Sequence, residues 1–239
     1  EEAPARPLTE ELRRRFQVNK DRPLVAAAST HAPEERVVLE AFNLLTSEVK
    51  RPRLLLAPRH PERFGEVASL LAASGLSWTR RTDEARESDK DSDVILLDSI
   101  GELRAVYPLA DVVFVGGSVA PVGGHNVLEP ALDARAVVTG PHTSNFKSIV
   151  AALLERDALV QLPHAEDRQT AARGLARALR ELLEDDVKRR RTGERARAVL
   201  EANRGATART VELLAPLLGK RLEVRGRRLV EETTLTSNL

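Results

Sequence analysis

The sequence has no cysteine and no methionine, and only one tryptophan and one tyrosine. Without cysteine there can be no disulfide framework and no thiolate metal site, a composition that suits a reducing compartment. No apolar run approaches the roughly 20 residues that would span a bilayer. With aromatics at 3% there is no stacking platform for a nucleic acid, and a nucleic-acid partner is not expected. The missing methionine, at position 1 as elsewhere, predicts a piece of a longer chain.

What is present is 239 residues, 42% hydrophobic, enough for one sizeable core with or without an extension. The net charge is +1 but unevenly placed: residues 186–228 carry 13 Lys/Arg against 5 Asp/Glu. Such a segment is either a set of solvated helix faces or a surface for phosphates or an anionic membrane. Short apolar runs predict strands over 24–29, 53–58, 77–81, 93–98, 111–116, 136–140 and 159–162. Between them, helical spacing predicts helices over 33–50, 61–74, 100–109, 126–133, 144–156 and most of 165–217, with 81–92 a charged loop. Continuous apolar strands alternating with helices imply an α/β fold, a Rossmann-like doubly wound parallel sheet. The expected organisation is a leading helix or linker over 1–21, a nucleotide-binding domain over 22–217 and a tail over 218–239.

In such a sheet the ligand lies beyond the carboxyl ends of the strands. The loops there hold Ser29-Thr30-His31, Pro58-Arg59-His60, Asp98-Ser99-Ile100-Gly101-Glu102, the long GGSVAPVGGHNVLE segment (116–129) and Gly140-Pro141-His142-Thr143. Four of the five histidines therefore fall on one edge of the sheet. The spacing of His31, His60, His125 and His142 matches no metal motif, and no metal is expected. Gly116, Gly117 and Ser118 offer a nest of backbone N–H groups for an anion, or a tight turn without one. Asn126 and Glu129 have capping-box spacing, as do Ser99 and Glu102, and Glu129 would also suit two ribose hydroxyls. Arg59, at the end of an apolar strand, suits a phosphate or carboxylate, or else an ion pair with Glu62 or Glu102.

Read together, AASTHAPEE (27–35), LLLAPRHPERF (54–64), LLDSIGELRAVYPLADVVFVGGS (96–118), GGHNVLEPA (123–131), TGPHTSNF (139–146) and EANRGATART (201–210) resemble the C-terminal half of bacterial 3-deoxy-D-manno-octulosonic acid (Kdo) transferases, in the family's order and spacing. The resemblance implies the C-terminal half of a GT-B glycosyltransferase that holds CMP-Kdo without metal or other cofactor. It implies that an N-terminal half, absent here, supplies the catalytic base and the lipid A precursor site. The setting implied is the cytoplasmic face of the inner membrane, in lipopolysaccharide assembly. CMP contacts carry across to Pro58 and Arg59, to Ile100, Gly101 and Glu102, and to Asn126, Val127, Leu128 and Glu129. Ile100 stands where the family has methionine and Val127 where it has proline. With Gly117 and Ser118 these complete the expected donor site, in which the loop amides and Arg59 would stabilise the departing phosphate. Two other readings of the same fold stay open: a non-catalytic nucleotide-binding or interaction module, and half of a nucleotide-sugar epimerase.

Overall fold

Seven strands form one all-parallel sheet: β1 (Leu24–Thr30), β2 (Arg53–Pro58), β3 (Trp78–Arg80), β4 (Val94–Leu96), β5 (Val112–Val115), β6 (Ala136–Thr139) and β7 (Val160–Gln161). Each lies where an apolar run predicted it. The computed structural model describes residues 5–19, 21–46 and 51–202, and the compact unit considered below ends at Val199. The expected tail and residues 203–217 lie outside the described residues.

The strand order is β3-β4-β2-β1-β5-β6-β7. From β1 the chain passes to β2 and on to β3 at the edge, comes back to β4 between them, then crosses to β5 on the other flank of β1. Both faces of the sheet are buried, which is why these strands lack polar alternation. Val25, Ala27, Leu54, Leu56, Val112 and Phe114 join one core cluster with α2 (Glu34–Thr46) and α7 (Arg168–Glu184). The intervening Ala26, Leu55, Ile95, Val113 and Val137 are equally buried on the other face.

The remaining helices are α1 (Ala5–Arg15), α3 (Phe64–Ala72), α4 (Leu103–Val106), α5 (Leu128–Leu132) and α6 (Lys147–Leu154), with helical structure again from residue 186. Thr9 Oγ1 on α1 donates to Ala105 O on α4 at 2.9 Å. The charged segment 81–92 is not wholly irregular, because Glu87–Asp91 forms a 3-10 turn. Its Asp89 and Ser92 carbonyls accept from the buried Arg53 guanidinium at 2.9 Å each, and Phe16 O accepts from Arg53 as well. Burial pushes Arg53 down to about 10, and these carbonyls satisfy it with no carboxylate at hydrogen-bond distance among the described residues. Among the described residues no helix is long and apolar enough to cross a membrane.

Candidate functional site

The glycine-rich loop after β5 does bind an anion, but one supplied by the chain itself. Glu34, at the start of α2, is fully buried. Its Oε1 accepts from the amides of Ser118 (2.9 Å), Val119 (2.8 Å) and Ala120 (3.1 Å). Its Oε2 accepts from Gly117 (2.7 Å) and from His31 (2.9 Å). Gly116 is required because a Cβ there would lie 2.7 Å from Ser29 O and 2.8 Å from Glu34 Oε2. The expectation that Gly117 and Ser118 present their amides to a ligand is thereby corrected. Ser118 is wholly internal, its Oγ donating to Val115 O and accepting from Gly140 N at 2.8 Å, which ties the β5 loop to the end of β6.

The open space is one strand over. A hollow of about 350 Å³ lies beyond β2 and β4, lined among others by Ser29, Pro58, Arg59, His60, Ile100 and Gly101. Ser29 occupies the left-handed region at φ 53°, at a shift in the β1–β2 register. Ile100 is 79% exposed, an apolar side chain standing free at the mouth. The Arg59 backbone is fixed by its amide donating to Thr30 O at 3.0 Å. Its guanidinium has no hydrogen bond or ion pair among the described residues, and of its two candidate partners Glu102 is held elsewhere. Glu62 lies 3.6 Å from His60 Nδ1. Glu102 is gripped by Arg81, with Nε at 2.8 Å and Nη2 at 3.0 Å, and accepts from Ser99 Oγ at 2.6 Å. The Ser99–Glu102 spacing thus yields a side-chain pair beside Arg81, and not a helix cap. Arg81 also reaches Glu11 on α1 at 2.8 Å.

Pro58, Arg59, Ile100 and Gly101 therefore share one hollow, and Glu102 borders it through Ser99. Asn126 and Glu129 do not line it. Asn126 Oδ1 accepts from Leu128 N at 3.0 Å and its Nδ2 donates to Glu129 Oε1 at 3.1 Å, so the two side chains bond to each other instead of closing a capping box. Val127, expected as a contact, is buried in the interior. The buried Tyr107 hydroxyl is pushed well above its usual range by burial and by the nearby Glu129 carboxylate. The two clusters meet across α4, where Leu103 lines the hollow and Arg104 Nη1 donates to Glu129 O at 3.0 Å.

A second bridge is made of histidines, and residue order alone gave no sign of it. His60 on the hollow stands edge-on to His31, with ring centroids 4.9 Å apart. His31 and His125 lie edge to edge with their ring planes 12° apart and centroids at 4.9 Å, and their Nε2 atoms are 2.7 Å apart. Burial, the His31 charge and the neighbouring Arg59 and His60 push His125 down to about 4, and burial lowers His31. The unfolded chain, with histidines near 6.5, binds more protons than the native chain between these values, so native stability falls as pH drops from about 6.5 towards 4. Urea unfolding at stepped pH is expected to show that fall, and His125→Asn to flatten it. Equal slopes in the two proteins would refute the assignment. Among the described residues no three His, Cys, Asp or Glu side chains converge as metal ligands.

No family model matches the chain. It is 40% identical to the 3-deoxy-D-manno-octulosonic acid transferase of Haemophilus influenzae over 199 residues, covering 83% of this chain and 45% of that protein. The enzyme of that name from Bordetella pertussis is also 40% identical, over 201 residues, with the same coverage. The solved C-terminal CMP-Kdo binding domain of WaaA from Acinetobacter baumannii superposes with a TM-score of 0.67 at 33% identity, over 82% of this chain and 97% of that one. The chain belongs to the Kdo transferase family. Its fold is the Rossmann-like C-terminal half of a GT-B glycosyltransferase. It spans about half the length of the curated Kdo transferases it matches.

Proposed function

We propose that the chain is the donor-binding half of a glycosyltransferase that moves Kdo from CMP-Kdo to a lipid A precursor in lipopolysaccharide biosynthesis. The observation that carries the reading is the Arg59 guanidinium, fixed at its backbone, unpaired at its head and facing a 350 Å³ hollow. A fork of donors there fits the phosphate of a nucleotide, with Ile100 as an apolar surface for the base. The Asn126–Glu129 pair, already bonded together, offers remaining acceptor positions for sugar hydroxyls. As the bond to Kdo breaks, negative charge grows on the leaving phosphate, and Arg59 is the preorganised cation for it. The Gly117 and Ser118 amides take no part, since Glu34 already fills them. The reading involves no metal and no other cofactor. The catalytic base and the acceptor site belong to the family's N-terminal half, and the working position is the cytoplasmic face of the inner membrane, with anionic lipid nearby.

Calorimetry on this chain tests the donor reading. CMP is expected to bind one to one and more tightly than cytidine or UDP. A preference for UDP would favour the epimerase reading, and no nucleotide binding at all would leave an interaction module.

A further inference from the structure

We propose that His31 and His125, with His60 and Arg59 beside them, form an anion subsite that holds a phosphate or carboxylate oxygen of the bound donor on a ring Nδ1–H. This rests on the donor-site reading above and adds residues that the site so far described does not use.

The place follows from the topology. β1 and β5 are neighbours in the sheet, yet β2 lies on the far side of β1 and β6 on the far side of β5. The chain leaves the two strands in opposite directions there, at the usual ligand position in doubly wound sheets. His31 comes from the loop after β1 and His125 from the loop after β5, and the two meet at that point. Gly117 makes the meeting possible. At φ 65° it lies so close under the ring that a Cβ would sit 2.8 Å from His125 Cδ2.

The chemistry follows from one distance. Two Nε2 atoms 2.7 Å apart can hold only one proton between them. One ring is therefore the Nε2–H tautomer with a bare Nδ1, and the other carries its proton on Nδ1. Neither Nδ1 has a hydrogen-bond partner among the described residues. The pair thus presents one Nδ1 donor and one Nδ1 acceptor, and a single added proton makes both of them donors on a cation. A tetrahedral zinc does not fit the pair, since two bonds of about 2.0 Å at the tetrahedral angle would set the Nε2 atoms roughly 3.3 Å apart.

The charges around the pair leave room for an external anion. Glu34 and Glu35 attract from the α2 side, while Arg59, His60 and Arg63 repel from the loop after β2. Neither carboxylate is free. Glu34 accepts from five amides, and Glu35 Oε1 accepts from Thr30 Oγ1 at 2.9 Å and from Arg63 at 2.6 Å. An anion entering from the hollow supplies the acceptor that the protonated pair lacks, so binding and proton uptake favour each other.

The test is 15N NMR of the imidazole nitrogens in the whole chain across pH 4–8, with CMP, cytidine, inorganic phosphate and free Kdo as separate additions. CMP is expected to raise the protonation midpoint of the His31–His125 pair by about one unit or more, and cytidine to leave it unmoved. A shift with CMP and none with Kdo assigns the subsite to the phosphate; a larger shift with Kdo assigns it to the sugar carboxylate. In calorimetry the ratio of wild-type to His125→Asn affinity for CMP should grow up to about tenfold per unit of falling pH between the bound and the free midpoint, the phosphate's own titration cancelling in the ratio. His31→Asn should behave alike, and the NMR arm needs no variant. If CMP binds while neither CMP nor Kdo moves the midpoint, and the ratio stays flat, the subsite is overturned and the donor site stands. If CMP does not bind, the donor reading fails, and a pair unmoved by both phosphate and Kdo overturns the subsite too.

Discussion

Glu34→Gln is expected to cost about 3–5 kcal/mol, the usual penalty for breaking a buried charged network and a large share of the roughly 5–15 kcal/mol that holds a domain folded. The side chain keeps its size, so packing is not the cause. The carboxylate gives every one of its five amides an acceptor. A glutamine amide can keep one oxygen towards Ser118, Val119 and Ala120, but then sets its own N–H groups against those of Gly117 and His31. Two buried donors lose their acceptor and meet another donor, and each unsatisfied buried group costs about 1–3 kcal/mol. Glu34→Ala removes the acceptor for all five and should be worse. Urea unfolding followed by circular dichroism measures the change; a loss below about 1 kcal/mol would mean that the loop finds other acceptors and that Glu34 is not its organising centre.

The second large effect is on binding, with folding spared. Arg59→Ala should weaken CMP on the order of 10²-fold, corresponding to the roughly 3 kcal/mol of one preorganised charged donor. The melting temperature should stay put, because the Arg59 head group is exposed and has no partner to lose among the described residues. Arg59→Lys should restore part of the affinity, since the charge returns without the planar fork. Calorimetry with CMP, run beside thermal unfolding, separates the two effects. Affinity within about threefold of wild type would remove Arg59 from the phosphate site.

The architecture was legible because it is written in local pattern. Apolar runs such as LVAAAS and DVVFVG cannot be solvated on either face, so a buried parallel sheet was the only arrangement open to them, and that sheet brought Arg59, His60 and Gly101 to one edge. The partners were not legible, because they are set by contacts distant in sequence. Glu34 reads locally as an ordinary acidic residue in a helix's first turn, and nothing near it announces donors more than 80 residues ahead. Arg81 falls where the predicted strand 77–81 meets the charged loop 81–92, and nothing in that local pattern announces its hold on Glu102, so the sequence offers Glu102 as a partner for Arg59. Asn126 and Glu129 did pair at their cap-like spacing, but side chain to side chain, since α5 begins at Leu128 and not directly after Asn126. The histidines were correctly placed on one rim, yet which of them would touch depended on the order of β2, β1 and β5.

Arg81 has a mechanical consequence. One guanidinium spans Glu11 on α1 and Glu102 at the rim of the hollow. Sliding α1 by a single residue along its axis displaces Glu11 by about 1.5 Å, enough to rupture a 2.8 Å contact unless Arg81 follows. If it follows, it drags Glu102 and the mouth of the cavity with it. The first helix is thus geared to the rim by this ionic linkage, in addition to the Thr9–Ala105 hydrogen bond to α4.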